Sequence, residues 1–137
     1  RAAENVDDEL AHADIVSCAT ISSTALVHGA RLRPGTHVDL VGAFAPTMRE
    51  SDDEAIRRAR VYVDTYAGAT KEAGDIVQAL ESGALAREDI QADLYELCRG
   101  QKQGRKSEDE ITLFKSVGAA IEDLAAGIAV WERVSQS

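Results

Sequence analysis

The sequence predicts an α/β domain built on a parallel sheet. Short β-branched and small-residue runs without helical period alternate with amphipathic stretches, and capping or turn residues mark nearly every junction. The 137 residues suit one compact domain or part of a larger one, and a hydrophobic content of 45% suffices for a buried core.

The first element is a short helix within Asn5-Val6-Asp7-Asp8-Glu9-Leu10-Ala11-His12. Asn5 is its N-cap, acids fill the first turn, and Val6 and Leu10 lie one turn apart. Residues 13–20 are small and β-branched, which predicts a buried parallel strand. Ser22, Ser23 and Thr24 read as caps of a further short helix. The turn Arg33-Pro34-Gly35 launches a second strand over residues 37–42. Ser51-Asp52-Asp53-Glu54 has capping-box spacing, with Ser51 as the cap, and Arg57, Arg58 and Arg60 suit the far end of that helix.

Residues 60–64 predict a third strand. Ile76, Val77 and Leu80 mark a helix that Gly83 stops. Ile90, Leu94, Leu97 and Cys98 recur at i, i+4, i+7 and i+8, predicting one helix ended by Gly100. Residues 100–107 form a polar loop carrying Lys102, Arg105 and Lys106. Residues 111–117 fit a strand or, with Ser107-Glu108-Asp109-Glu110 as a capping box, a helix; their alternation and Gly118 favour the strand. Ile121, Leu124, Ala125, Ile128 and Trp131 form one stripe of a closing helix.

Charge and composition exclude several classes. Fifteen Lys and Arg against 24 Asp and Glu leave a formal charge of −9, with no basic cluster and 4% aromatics, which argues against nucleic acid and acidic membrane surfaces. No apolar run approaches the ~20 residues of a membrane span. Two cysteines make no disulfide scaffold, and with no signal peptide a cytoplasmic setting is expected. Arg1 in place of Met suggests a processed or truncated chain.

Ligands of open parallel sheets bind beyond the carboxyl ends of the strands. That rule selects residues 20–23, residues 42–50 and the corner Ser116-Val117-Gly118, all rich in small polar residues and glycine. Other constellations fail on spacing. The stretch from Gly100 to Gly104 and Lys106 lacks the interval and the Gly-Lys pair of a phosphate loop. His12, His28 and His37 are scattered, and no His or Cys pair has metal-ligand spacing, so no metal is expected. Cys18 and Cys98 sit on apolar runs and are expected to be buried. Ser17, Ser22 and Ser23 lack a nucleophile elbow. Asp52, Asp53 and Glu54 are explained by capping and Asp14 by a strand start, so no carboxylate pair stands out. Such a surface suits a cofactor that brings its own chemistry.

These segments resemble the ornithine cyclodeaminase/μ-crystallin family. The resemblance rests on Ala13-Asp14-Ile15-Val16-Ser17-Cys18-Ala19-Thr20 and Pro34-Gly35-Thr36-His37-Val38-Asp39-Leu40-Val41-Gly42-Ala43. It continues through Arg49-Glu50-Ser51-Asp52, Lys71-Glu72-Ala73-Gly74-Asp75-Ile76 and Glu110-Ile111-Thr112-Leu113-Phe114-Lys115-Ser116-Val117-Gly118. It implies the second half of a Rossmann-type dinucleotide-binding domain, parallel strands with flanking helices, plus closing C-terminal helices. The ten glycines include no G-x-G-x-x-G, so that motif and an N-terminal dimerisation and substrate domain are expected outside residues 1–137. The implied cofactor is NADPH or NADH, and the chain alone is expected to bind it poorly and to be inactive.

The resemblance places Thr20, Val41, Gly42, Ala43, Phe44 and Ser116 at the cofactor, with Val117 beside the substrate. Met48 falls where some members carry a cofactor-contacting lysine, a role Arg49 is placed to take. Cyclodeaminases carry an aspartate where Phe44 stands, and phenylalanine accepts no proton. The run Leu40-Val41-Gly42-Ala43-Phe44-Ala45-Pro46-Thr47-Met48-Arg49-Glu50 instead resembles bacterial imine reductases, which convert Δ1-pyrroline-2-carboxylate or Δ1-piperideine-2-carboxylate to proline or pipecolate. The expected partner is a small cyclic imino acid, with homodimerisation through a domain outside the chain. Phe44 would wall the pocket and exclude water, or merely pack under its loop. The alternatives are a non-catalytic NADPH- and small-ligand-binding protein of the μ-crystallin type, or a cyclodeaminase or alanine dehydrogenase.

Overall fold

A computed structural model describes residues 2–136; Arg1, on which the expectation of truncation rests, and Ser137 lie outside them. Chain order runs α1 (Val6–Leu10), β1 (Ile15–Cys18), β2 (His37–Leu40), α2 (Asp53–Arg58), β3 (Ala59–Val63), α3 (Tyr66–Ala69), α4 (Gly74–Ser82), β4 (Ile90–Asp93), α5 (Leu94–Cys98), β5 (Ile111–Lys115) and α6 (Ala120–Ser135). The five strands form one parallel sheet in the order β1-β2-β5-β3-β4. This is the α/β architecture the resemblance implies, a helix-flanked parallel half-sheet.

One register row, Val16-Val38-Leu113-Val61-Ile90, is apolar across all five strands. Side chains in such a row share a face of the sheet, and this face carries the core with Ile56, Ile76 and Ala79 of the covering helices. The next row, Cys18-Leu40-Lys115-Val63, sets a lysine among apolar neighbours. On the opposite face an open groove of about 600 Å³ runs past Ile15, His37, Tyr62 and Phe114.

Several expectations are corrected. Residues 13–20 are not a buried strand: among the described residues β1 is a sheet edge, and Ile15 is 68% exposed because it points into the open groove. Ser22, Ser23 and Thr24 cap no helix: the Ser22 hydroxyl donates to the Thr24 carbonyl at 2.7 Å and closes a turn, and the next helical turn, the 3-10 segment Gly29–Arg31, starts only after His28. The cap of α2 is Asp52, which accepts from the Ala55 N–H at 2.7 Å, while Ser51 is turned inward. Arg60 belongs to β3, not to the end of α2.

The single helix over residues 90–98 is two elements. Ile90 and Ala92 alternate into the core as β4, and Asp93 then caps a new helix, α5. Cys98 is consequently exposed and Cys18 only partly buried. The α6 stripe is not buried: Ile121, Leu124 and Trp131 are all more than half exposed. Among the described residues no helix is long and apolar enough to cross a membrane.

Candidate functional site

Parallel strands all end at one edge, so the loops after β1, β2 and β5 must meet there. Backbone bonds fix the meeting. The Val41 N–H donates to the Cys18 carbonyl at 2.8 Å, Ala43 to Thr20 at 3.2 Å, Arg49 to Ser22 at 2.7 Å and Ser116 to Leu40 at 3.0 Å. Thr20, Val41, Gly42, Ala43 and Ser116 are thereby gathered at one place.

Two close approaches require glycine. A Cβ on Gly42 would sit 2.1 Å from the Thr20 carbonyl oxygen, and one on Gly74 would sit 1.9 Å from that of Met48. The Gly74 N–H donates to the Ala43 carbonyl at 2.9 Å, so the loop after β2 is wedged between the β1 end and the start of α4. Within it Ala43 is fully buried and has φ 47, a left-handed conformation that costs a non-glycine residue roughly 1–3 kcal/mol.

This turn puts Gly42 and Ala43 inside and leaves Val41 and Phe44 outside, 45% and 52% exposed. Phe44 therefore does not pack under its loop. Together with exposed Ile21 these side chains make an apolar rim on an otherwise polar edge. Arg49 is engaged within the loop: its guanidinium pairs with Asp53 and donates to the Ser51 carbonyl. The hydrogen bond from the Arg49 guanidinium to Asp53 holds the Asp53 carboxyl below the usual carboxylate range.

The Ser116-Val117-Gly118 corner is organised by Asp64, at the end of β3. Asp64 Oδ2 accepts from the Ser116 hydroxyl at 3.1 Å, the Val117 N–H at 2.8 Å and the Gly118 N–H at 3.2 Å. Asp64 is 3% exposed, so its buried carboxylate is satisfied by these donors.

Under the loop lies a group that sequence reasoning missed. Glu50, Asp75 and Lys115 are all fully buried. The Lys115 ammonium lies 3.5 Å from Asp75 Oδ2 and 3.9 Å from Glu50 Oε2, and it donates to the Gly42 carbonyl. Glu50 Oε1 accepts from the Thr20 N–H at 2.6 Å. Asp75 Oδ1 accepts from the N–H groups of Glu50 at 2.9 Å and Ser51 at 2.7 Å, and from the Ser51 hydroxyl at 2.9 Å. The only local signal was a lysine closing an apolar strand.

The described residues contain no cluster suited to a metal ion. Burial, then the negative charges of Glu50, Asp75 and Asp39, pushes the Cys18 thiol up to about 11, so it is no nucleophile at neutral pH. His37 lies on the groove face, where burial lowers its pKa and Nδ1 meets the Thr112 hydroxyl at 2.8 Å. What the edge offers is an apolar rim over a rigid turn. That fits a flat, partly apolar ring such as nicotinamide, but with Arg49 engaged and no glycine fingerprint it does not fit a pyrophosphate.

A profile of the ornithine cyclodeaminase/mu-crystallin family matches residues 1–137. The protein named SAR DEFICIENT 4 of Arabidopsis thaliana is 48% identical over 129 residues, covering 94% of this chain and 39% of its own length. The Δ1-pyrroline-2-carboxylate reductase of Paracoccus denitrificans is 46% identical over 112 residues, covering 82% of this chain and 35% of its own. Among solved structures, the Δ1-pyrroline-2-carboxylate reductase of Thermococcus litoralis in complex with NADH and L-proline superposes with a TM-score of 0.92 at 36% identity. That match covers 98% of this chain and 42% of the other. The chain thus spans about two fifths of the length of the relatives it matches.

Proposed function

Because the chain belongs to the ornithine cyclodeaminase/mu-crystallin family, we propose that it forms the nicotinamide-facing half of a dinucleotide-binding domain in an NAD(P)H-dependent reductase of a cyclic imino acid. The substrate is Δ1-pyrroline-2-carboxylate or Δ1-piperideine-2-carboxylate and the product proline or pipecolate. The observation that carries the proposal is Phe44, half exposed on the rim of the turn where a deaminating enzyme would need a carboxylate. Two of the relatives described above bear the name of such a reductase.

In this reading Thr20 and Val41 face the nicotinamide, the buried Gly42–Ala43 turn supports that surface from beneath, and Ser116 lies at its side with Val117 toward the substrate. Bound NADH or NADPH supplies a hydride to the imine carbon. Phe44 and Val41 exclude water from that carbon. A protonated cyclic imine needs no carboxylate base: its C=N pair collapses onto nitrogen and leaves a secondary amine. Arg49 secures the loop through Asp53 rather than touching the ligand. The pyrophosphate site, the cations that hold the substrate carboxylate and the homodimer contact lie in parts of the protein outside residues 1–137.

The test is oxidation of NADH and NADPH by the full-length protein, with Δ1-pyrroline-2-carboxylate, Δ1-piperideine-2-carboxylate or ornithine as substrate. Oxidation with an imine and no NAD-dependent turnover of ornithine is expected. Dinucleotide binding without turnover of any substrate would overturn the reductase and favour a ligand-binding protein.

A further inference from the structure

Among the described residues Lys115 is the largest fully buried side chain. A fully buried ammonium must be repaid by partners, and an apolar side chain would fill its row between Leu40 and Val63 without that cost. Its partners come from three segments: the Gly42 carbonyl after β2, Glu50 before α2, and Asp75 in the first turn of α4.

The Gly42 carbonyl and the Ala43 N–H belong to the same peptide unit. Lys115 takes the carbonyl, and the Thr20 carbonyl takes the N–H at 3.2 Å, so this plane is clamped at both ends. Glu50 ties the clamp together by accepting the Thr20 N–H on one oxygen and facing Lys115 with the other. A clamp is needed because φ of Ala43 is 47. Rotating the 42–43 peptide by half a turn would return Ala43 to negative φ and relieve its strain. It would also swing the Gly42 carbonyl away from the core and reshape the surface between Val41 and Phe44.

We propose that Lys115 is a positioning residue: it locks the Gly42–Ala43 peptide in its strained orientation and so presets the surface that receives the nicotinamide. The assignment of that surface rests on the reading above, whereas the lock itself does not.

The test uses the full-length protein and three measurements. In the unliganded wild type, hydrogen exchange at the Ala43 amide should be slow; fast exchange overturns the lock. The variant K115M/E50Q/D75N removes all three charges while keeping the amide oxygens that accept from Thr20, Glu50 and Ser51. It should melt cooperatively, bind NADH and NADPH about tenfold more weakly, and raise the cofactor KM more than it lowers kcat. Adding Ala43→Gly, which accepts positive φ without strain, should recover most of that affinity.

Wild-type affinity in the triple variant, or loss that Ala43→Gly does not recover, means that Lys115 only fills the core. If the triple variant does not fold, Ala43→Gly alone decides: it should raise the melting temperature by relieving strain, and a lower one refutes the lock. A wild-type protein that binds neither dinucleotide refutes the functional reading and leaves the exchange and melting results standing.

Discussion

Asp64 and Ser116 meet at 3.1 Å, and that contact joins the ends of β3 and β5. The same carboxylate oxygen accepts the Val117 and Gly118 N–H groups, so one buried side chain sets the direction in which the chain leaves the sheet.

Asp64→Ala should therefore strand the Ser116 hydroxyl and the Val117 N–H, while the Gly118 N–H keeps the Ser116 hydroxyl oxygen at 2.9 Å. A loss of about 2–3 kcal/mol is expected from urea unfolding, since each buried donor left unpaired costs ~1–3 kcal/mol before relaxation. Asp64→Asn keeps an accepting oxygen and should recover part of the loss. An unchanged midpoint in Asp64→Ala would show that the corner is held by other contacts.

Gly42→Ala tests the close approach beneath the rim. Its Cβ would meet the Thr20 carbonyl oxygen at 2.1 Å, backbone that cannot rotate away. Destabilisation of about 2 kcal/mol or more is expected, together with weaker NAD(P)H titration in the full-length protein. Gly104→Ala, where a Cβ would have nothing within 4 Å, is the matched control and should melt like the parent.

Phe44→Asp separates function from folding. The residue is 52% exposed in this chain, so thermal stability should change by no more than about 0.5 kcal/mol. Imine reduction should nevertheless fall about tenfold or more, because the carboxylate would be desolvated in the closed pocket. Reduction at the parental rate would remove Phe44 from the substrate wall.

The two thiols should differ sharply. Iodoacetamide at pH 7.5 should label exposed Cys98 and leave Cys18 intact, because the Cys18 thiol is pushed up to about 11 by burial and by Glu50, Asp75 and Asp39. The sign for stability follows. The unfolded thiol, near 9.0, loses its proton before the folded one does, so this contribution is full below pH 9 and fades between about pH 9 and pH 11. Peptide mass mapping that finds Cys18 labelled first would contradict this placement.

The strand ends were legible because they follow from fold class alone. Once residues 37–42 and 111–117 read as parallel strands, Gly42 and Ser116 had to lie at their carboxyl edge. Residues 90–98 misled because Ile90, Leu94, Leu97 and Cys98 keep helical spacing across a strand-to-helix junction. The competing signal was Asp93 with Glu96, a capping box inside the supposed helix. The α3 helix, four residues behind its Thr65 cap, is too short to leave a period. Lys115 was illegible for a different reason: its partners Glu50 and Asp75 are distant in sequence, and a lysine at a strand end ordinarily reaches water. Ser51 reads as a cap because its inward bond to Asp75 is equally nonlocal.

The place of β5 has a consequence for the birth of the molecule on the ribosome. Among the described residues it is the last strand in chain order, yet it lies between β2 and β3, with β1-β2 on one side and β3-β4 on the other. Until residues 111–115 leave the exit tunnel, the nascent chain holds two strand pairs with no ladder between them, and each shows a bare inner edge. Such edges are open to wrong pairing for as long as synthesis lasts. The same insertion delivers Lys115 beneath Gly42, so the site acquires its shape in the step that closes the sheet.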